Sequence, residues 1–67
     1  MGKNAAMKDA RTKAGLSQQE LAEKLGVSRQ TINAIEKGDY NPTIRLCIGI
    51  CRILHRTLND LFWEDNL

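Results

Sequence analysis

Hydrogen-bonding side chains of three kinds gather in the stretch 28–37, where Arg29, Gln30 and Asn33 occur within five residues. An arginine can donate two hydrogen bonds to O6 and N7 of guanine, and a glutamine or asparagine amide can pair in the same way with N6 and N7 of adenine. Taken alone, such a stretch is more often the solvated outer face of a helix. Its chemistry therefore depends on the elements that hold it.

A second group of reactive side chains recurs every four residues, at Cys47, Cys51 and His55. On a helix these three side chains could face one way and bind a metal ion or sense redox state. A structural zinc site takes four ligands, however, and the sequence has no other Cys or His. Cysteines in such a helix are more often small apolar core residues in a reducing cytoplasm. We therefore expect no metal and no cofactor.

The sequence also lacks an arrangement of residues suited to catalysis. His55 has no carboxylate partner nearby in the sequence, and neither a glycine-rich phosphate loop nor a pair of catalytic acids is evident. The sequence predicts a binding protein, not an enzyme, and it gives no sign of a small-molecule ligand.

Two short helices around a tight turn are predicted to position the polar stretch. Ser17 and Glu20 have the spacing of a capping box that begins the first of these helices. Gly26 suits the positive φ with which a helix often ends, and Ser28 is a cap for the next helix. Apolar residues recur at helical spacing along the inner sides of both helices, namely Leu21, Ala22, Leu25, Ile32 and Ile35.

The rest of the chain reads as three further helices, which makes the predicted fold all-α with five helices in a single domain over 1–67. The first covers residues 4–14, with Asn4 as its cap. Turn chemistry and Pro42 predict a loop at 39–42, followed by a fourth helix from Thr43 to about residue 54. This fourth helix is apolar over most of its circumference, so it is either the central core element or buried on a second side by a partner.

The stretch SQQELAEKLGVSRQTINAIEKGDYNP, residues 17–42, resembles the helix-turn-helix of the lambdoid phage repressor and Cro family, also called the XRE family. The resemblance extends over nearly all of residues 7–63. Within the family, the chain most resembles the short bacterial members that contain little more than this domain. It implies a lambda repressor-like DNA-binding fold in which helices 2 and 3 form the helix-turn-helix and residues 28–37 the recognition helix. The matched residues are Gln18, Ala22, Gly26, Val27, Ser28, Ile32, Ile35, Glu36 and Gly38.

The resemblance also implies roles for individual residues. In the phage proteins, arginine and glutamate at the positions of Arg11 and Glu36 form a structural ion pair. The residue at the position of Gln18 bonds a DNA phosphate there, and the resemblance implies the same role for Gln18. Ser28, Lys37, Tyr40 and Asn41 lie at the ends of the recognition helix or just beyond it and are further candidates for phosphate contacts. The expected base contacts are Arg29, Gln30, Asn33 and Ala34, together with the methyl group of Thr31.

The charge of the chain is distributed unevenly. The net charge is +2, but all ten Lys and Arg lie in residues 1–56 with five acids, whereas residues 57–67 hold three acids and no base. The basic body suits phosphates and the acidic tail should avoid them. No apolar run approaches the roughly 18 residues that a membrane span needs, and the N-terminus lacks the apolar segment of a secretory signal. We expect a cytoplasmic protein of bacterial or phage type, associated with the nucleoid.

The C-terminal segment 57–67 is predicted to contribute to a homodimer. The fourth helix is more apolar than one small subunit needs, and an aromatic pair stands beside the acidic tail. The expected interface residues are Ile48, Phe62, Trp63 and Leu67. The predicted function is that of a repressor that binds an inverted repeat in double-stranded DNA. The alternative is a protein-interaction module that uses the same fold, such as an antitoxin or an adaptor.

Overall fold

Five helices and no strand make up residues 4–62, the part of the chain that the computed structural model describes. The predicted all-α fold with five helices is therefore confirmed. The helices are α1 (Ala5–Lys13), α2 (Gln18–Leu25), α3 (Arg29–Lys37), α4 (Ile44–Leu54) and α5 (Leu58–Leu61).

Every one of these helices begins at a polar side chain that accepts a hydrogen bond from the first turn. Capping boxes begin α2, where Glu20 Oε1 accepts from the Ser17 backbone N–H at 2.9 Å, and α5, where Asp60 Oδ2 accepts from the Thr57 backbone N–H at 2.9 Å. These backbone hydrogen bonds hold the pKa values of Glu20 and Asp60 below their usual range. The five caps are Asn4, Ser17, Ser28, Thr43 and Thr57.

Three helices end at a residue in the left-handed conformation. At the ends of α2 and α3 this residue is a glycine, Gly26 with φ 72° and Gly38 with φ 82°, which costs little because glycine has no Cβ. At the end of α4 it is His55, with φ 56°. The structure thus keeps the turn geometry at all three places and accepts a side chain at one of them.

The core lies where α2 and α3 pack against each other and α4 closes the bundle. Met7, Leu21, Ile32 and Ile50 are completely buried, so α1 to α4 each contribute at least one fully enclosed side chain. The short α5 adds Leu61, which is 6% exposed. Half-buried apolar residues pack around this cluster, namely Leu16, Leu25, Val27, Leu46, Ile53, Leu58 and Phe62.

The glycine inside α4 lies where α4 approaches α2 closely. A Cβ added at Gly49 would lie 2.9 Å from Leu25 Cδ2, which is shorter than van der Waals contact. Glycine inside a helix costs roughly 1 kcal/mol relative to alanine, and the atom that a Cβ would meet is the end of the Leu25 side chain, which can move. Within residues 4–62, none of the helices is both long and apolar enough to cross a bilayer.

Candidate nucleic-acid interface

The N-terminal turn of α3 faces outwards while its other side is fixed in the core. Arg29 and Gln30 are exposed, whereas Ile32 is 0% and Ile35 3% exposed. Because the same helix carries both sets, the buried isoleucines hold the polar side chains in a defined position. Exposed polar groups on a rigid helix can meet another molecule without a large loss of backbone entropy.

The start of α3 is further ordered by a cap. Ser28 Oγ accepts a hydrogen bond from the Thr31 backbone N–H at 3.2 Å and lies 3.0 Å from Thr31 Oγ1. The Thr31 hydroxyl is therefore engaged within the protein, and Thr31 and Ala34 are both half-buried on the flank of the helix.

A buried ion pair joins α1 to the end of α3. Arg11 Nε donates to Glu36 Oε2 at 2.7 Å and Arg11 Nη2 donates to Glu36 Oε1 at 3.2 Å, with side-chain exposures of 11% and 4%. Arg11 Nη1 also donates to the Leu16 backbone carbonyl at 2.9 Å. The pair therefore has the bidentate geometry of a strong charge-assisted contact, and it links the two residues that the resemblance pairs.

A connection between α2 and α3 that sequence reasoning missed starts from this pair. Gln18 Nε2 donates to Glu36 Oε1 at 3.1 Å and to Asn33 Oδ1 at 3.2 Å, so both of its N–H groups are used within the protein. The side-chain oxygen and the backbone N–H of Gln18 remain for other partners. The only signal in the sequence is that Gln18, Asn33 and Glu36 fall on adjoining faces of two packed helices, which becomes clear only once the crossing of α2 and α3 is known.

The remaining candidates for phosphate contacts lie on the surface, and one of them, Lys37, lines a cavity beside this network. Ser28, Lys37 and Asn41 are exposed, and Tyr40 is 44% exposed and so is not part of the core. A shallow cavity of about 330 Å³ beside the network brings Lys8 of α1 to the same wall as Lys37. Lys8 had no predicted role, and its position adds a second positive charge at this edge.

The two cysteines lie inside α4 and away from these residues. Cys47 is 7% and Cys51 6% exposed, and both are free thiols. Burial raises the pKa of both thiols above the ordinary value, which keeps them protonated and unreactive near neutral pH. In the described part of the chain, no group of three or more His, Cys, Asp or Glu is placed to hold a metal ion.

Apolar side chains are exposed along one side of α4. Ile44 is 56% and Ile48 38% exposed, and they lie one helical turn apart on the same face. Phe62 is half-buried against the core. The other two expected interface residues, Trp63 and Leu67, lie outside the described residues, as does most of the predicted dimerisation segment beyond Phe62.

Comparison with known proteins identifies this architecture. A model of the helix-turn-helix family matches residues 7–61. The chain belongs to this family, in its XRE and Cro–repressor branch. Among its relatives, the uncharacterized HTH-type transcriptional regulator YgzD of Bacillus subtilis is 46% identical over 62 residues, which cover 90% of this chain and 94% of that protein. The uncharacterized HTH-type transcriptional regulator MJ0272 of Methanocaldococcus jannaschii is 50% identical over 52 residues, 76% of this chain and 79% of that protein.

Solved structures of regulators share the fold. The clp gene regulator ClgR from C. glutamicum superposes with a TM-score of 0.77 at 28% identity, over 84% of this chain and 72% of that chain. The restriction-modification controller protein C.AhdI from Aeromonas hydrophila also gives 0.77 at 28% identity, over 85% of this chain and 83% of that chain. The predicted lambda repressor-like fold is confirmed. The protein is a DNA-binding transcriptional regulator, and its family consists of regulators and not of enzymes.

Proposed function

We propose that this helix-turn-helix protein is a sequence-specific repressor that binds an inverted repeat in double-stranded DNA as a homodimer and acts by occupying promoter DNA in the cytoplasm. The observation that carries the proposal is the division of α3 into an exposed N-terminal turn with Arg29 and Gln30 and a buried side anchored by Ile32 and Ile35. A helix of this kind can enter the major groove with its N-terminal residues against base edges.

The exposed turn supplies the base contacts of the proposal. Arg29 would donate to O6 and N7 of a guanine, and Gln30 would pair with N6 and N7 of an adenine. Asn33 lies one turn further along α3, where it would reach a third base pair. Thr31 and Ala34 present less polar surface, because the hydroxyl of Thr31 is bonded to Ser28, and they would contact thymine methyl groups at most.

Phosphate contacts would fix the orientation of α3 in the groove. The backbone N–H of Gln18 lies in the first turn of α2, where helix N-termini attract anions, while its side-chain N–H groups already have partners in the protein. The other candidates for phosphate contacts are all exposed, namely Ser28, Lys37, Tyr40 and Asn41. Each lysine contact with a phosphate should add to the salt dependence of binding.

The proposed dimer would use the exposed face of α4. Ile44 and Ile48 form an apolar strip that is energetically unfavourable in water, and self-association through one such strip gives a two-fold dimer. Two copies of α3 about 34 Å apart would then match two half-sites one DNA turn apart. Ile48→Glu should convert the dimer to a monomer in analytical ultracentrifugation and weaken operator binding.

The control for that variant is Ala6→Glu, because Ala6 is an exposed apolar residue of α1. It introduces the same charge away from the strip and should leave the mass and the DNA affinity unchanged. A wild-type protein that remains monomeric at high concentration and still binds a palindrome tightly would contradict the homodimer.

The decisive experiment is selection of bound oligonucleotides from a random pool, followed by mobility-shift titration of Arg29→Ala on the selected site. The proposal predicts a palindrome and a loss of about 1–3 kcal/mol in binding for this variant. Arg56→Ala is the matched control, since it removes the same charge from an exposed position between α4 and α5. An unselective pool, or equal affinities for the two variants, would contradict a sequence-specific reader.

One feature favours the alternative, a protein-interaction module with the same fold. A groove of about 600 Å³ runs beside α2 and α4, and its lining combines the half-buried apolar residues Leu25, Val27, Leu46 and Ile53 with the basic residues Lys24, Arg45 and Arg52. Among residues 4–62, no acidic side chain lines it, so it would suit an acidic, partly apolar segment of another protein. An Arg29→Ala variant with undiminished affinity for the selected site would favour this second function.

A further inference from the structure

The hydrogen-bond network behind α3 determines which chemical group Asn33 presents to solvent. Glu36 forms a bidentate pair with Arg11, at 2.7 and 3.2 Å, and a carboxylate held in this way accepts hydrogen bonds and donates none. The end of the Gln18 amide that lies 3.1 Å from Glu36 Oε1 must therefore be the NH₂ group. The ion pair thus fixes the orientation of a side chain on the neighbouring helix.

The Gln18 amide in turn fixes the orientation of the Asn33 side chain. The NH₂ group of Gln18 has a second N–H, and this N–H lies 3.2 Å from the Asn33 side chain. A donor requires an acceptor, so Asn33 must turn its carbonyl oxygen Oδ1 inwards, towards α2. Its NH₂ group is then turned away from Gln18. Asn33 as a whole is half-buried, and within residues 4–62 this NH₂ group has no hydrogen-bond partner.

On this basis, and resting on the proposed function, we infer that Asn33 reads guanine rather than adenine and that Gln18 is the positioning residue that sets this preference. Pairing with adenine would require Oδ1 to accept from the N6 amine, but Oδ1 is turned towards Gln18. The NH₂ group can donate to O6 and N7 of guanine, which are adjacent acceptors in the major groove. The ordinary expectation for an asparagine in a recognition helix is thereby reversed.

Burial makes this orientation expensive to change. Arg11 and Glu36 are 9% and 7% exposed. Rotation of the Gln18 amide by half a turn would therefore place its carbonyl oxygen, which cannot donate a hydrogen bond, against a buried carboxylate. Repulsion between two acceptors in such surroundings is stronger than in water. The preference for guanine is thus built into the protein before DNA is bound.

The orientation can be tested without DNA. In ¹⁵N-resolved spectra, the NH₂ protons of Gln18 should exchange with water several-fold more slowly than those of Gln19, which makes one exposed hydrogen bond to Glu23 Oε2 at 3.0 Å. Equal exchange rates for the two amides would overturn the inference.

Oligonucleotide selection with four proteins tests the reading of the base. Sites selected by Asn33→Ala identify the base pair that Asn33 contacts, because this variant should no longer prefer any base at that position of the DNA. At this position the wild-type protein should prefer guanine over adenine by roughly tenfold, the size expected for one well-formed contact. Gln18→Leu has a similar size but no amide, so Asn33 should become free to rotate and adenine should gain roughly tenfold relative to guanine.

Gln19→Leu makes the same chemical change one residue further along α2, outside the network, and should keep the wild-type preference. A wild-type preference for adenine at this position would overturn the inference, as would a Gln18→Leu site unchanged from wild type. If Asn33→Ala alters no position while the wild-type protein still selects a palindrome, the inference fails and the proposed function stands. If the wild-type protein selects no site at all, both fail together.

Discussion

The half of the molecule formed by α1, α2 and α3 is held together differently from the half formed by α4 and α5. In the first half, α2 and α3 begin at serine caps and end at glycines in the left-handed conformation, and a hydrogen-bond network joins all three helices. In the second half, α4 ends at His55 in that conformation, contains Gly49 and exposes Ile44 and Ile48. Both halves have capped helices and share the apolar core, but the buried polar network belongs to the first half and the exposed apolar strip to the second.

This difference follows what each half is proposed to do. A helix that reads bases must hold its side chains within a fraction of an ångström of a working geometry, and polar contacts with fixed directions achieve that. A helix that forms a subunit contact needs apolar area more than direction. The four experiments below test this division, beginning with the largest expected effect.

Removal of one partner from the buried pair should have the largest effect. Arg11→Met leaves the Glu36 carboxylate buried without its guanidinium, and we expect a loss of about 3–5 kcal/mol in the free energy of unfolding, measured by urea denaturation. The control is Lys13→Met, which breaks the pair between Lys13 Nζ and Asp9 Oδ2 at 3.1 Å, where the side chains are 67% and 62% exposed. That loss should stay below about 0.5 kcal/mol.

Equal losses in the two variants would show that the polar contacts of the first half contribute no more than surface charges. The double variant Arg11→Met with Glu36→Leu separates the two explanations further. It removes both charges, so most of the lost stability should return if an unpaired buried charge is the cause.

The packing of α2 against α4 should give the next largest effect. In Gly49→Ala, the gain in helix propensity of about 1 kcal/mol should be reduced by the shift that the added Cβ imposes on Leu25 Cδ2, which lies 2.9 Å from it. In a Leu25→Ala background the contact is absent, so Gly49→Ala should stabilise the protein by about 1 kcal/mol. A double-mutant cycle of urea denaturation measures the coupling, and additive effects would rule out steric contact as the reason for the glycine.

The sequence allowed good prediction of features that depend on neighbouring residues. Ser17, Gly26 and Ser28 each carry a local preference that the structure retains. The fold and the family also follow from the spacing of residues in the helix-turn-helix. The links from Gln18 to Asn33 and from Gly49 to Leu25 could not be predicted, because each depends on how closely and at what angle two helices cross. That crossing is a property of the packed core and not of either helix alone.

A substitution at the end of α4 should stabilise the protein, whereas most substitutions destabilise it. His55 has φ 56°, a conformation that costs a residue with a Cβ roughly 1–2 kcal/mol, and part of that would be offset by the greater backbone entropy of glycine. We expect His55→Gly to raise the free energy of unfolding by about 0.5–1 kcal/mol. His55→Ala keeps the Cβ and should give no gain, so similar stabilities for the two variants would contradict strain at this residue.

The smallest expected effect is on the pH dependence of stability, and it comes from the two capping boxes, one in each half. Backbone hydrogen bonds lower the pKa of Glu20 in α2 and of Asp60 in α5, so their contribution to stability is present above the unfolded-state pKa of about 4. It is lost as the pH falls through the lower folded-state values. Thermal melting between pH 7 and pH 2.5 should therefore show a smaller pH dependence for Glu20→Gln and for Asp60→Asn than for wild type, with the curves converging at the acid end. A full wild-type pH dependence in both variants would contradict the role of the caps. A change confined to Glu20→Gln would show that α5 is held by the packing of Leu61 and not by its own cap.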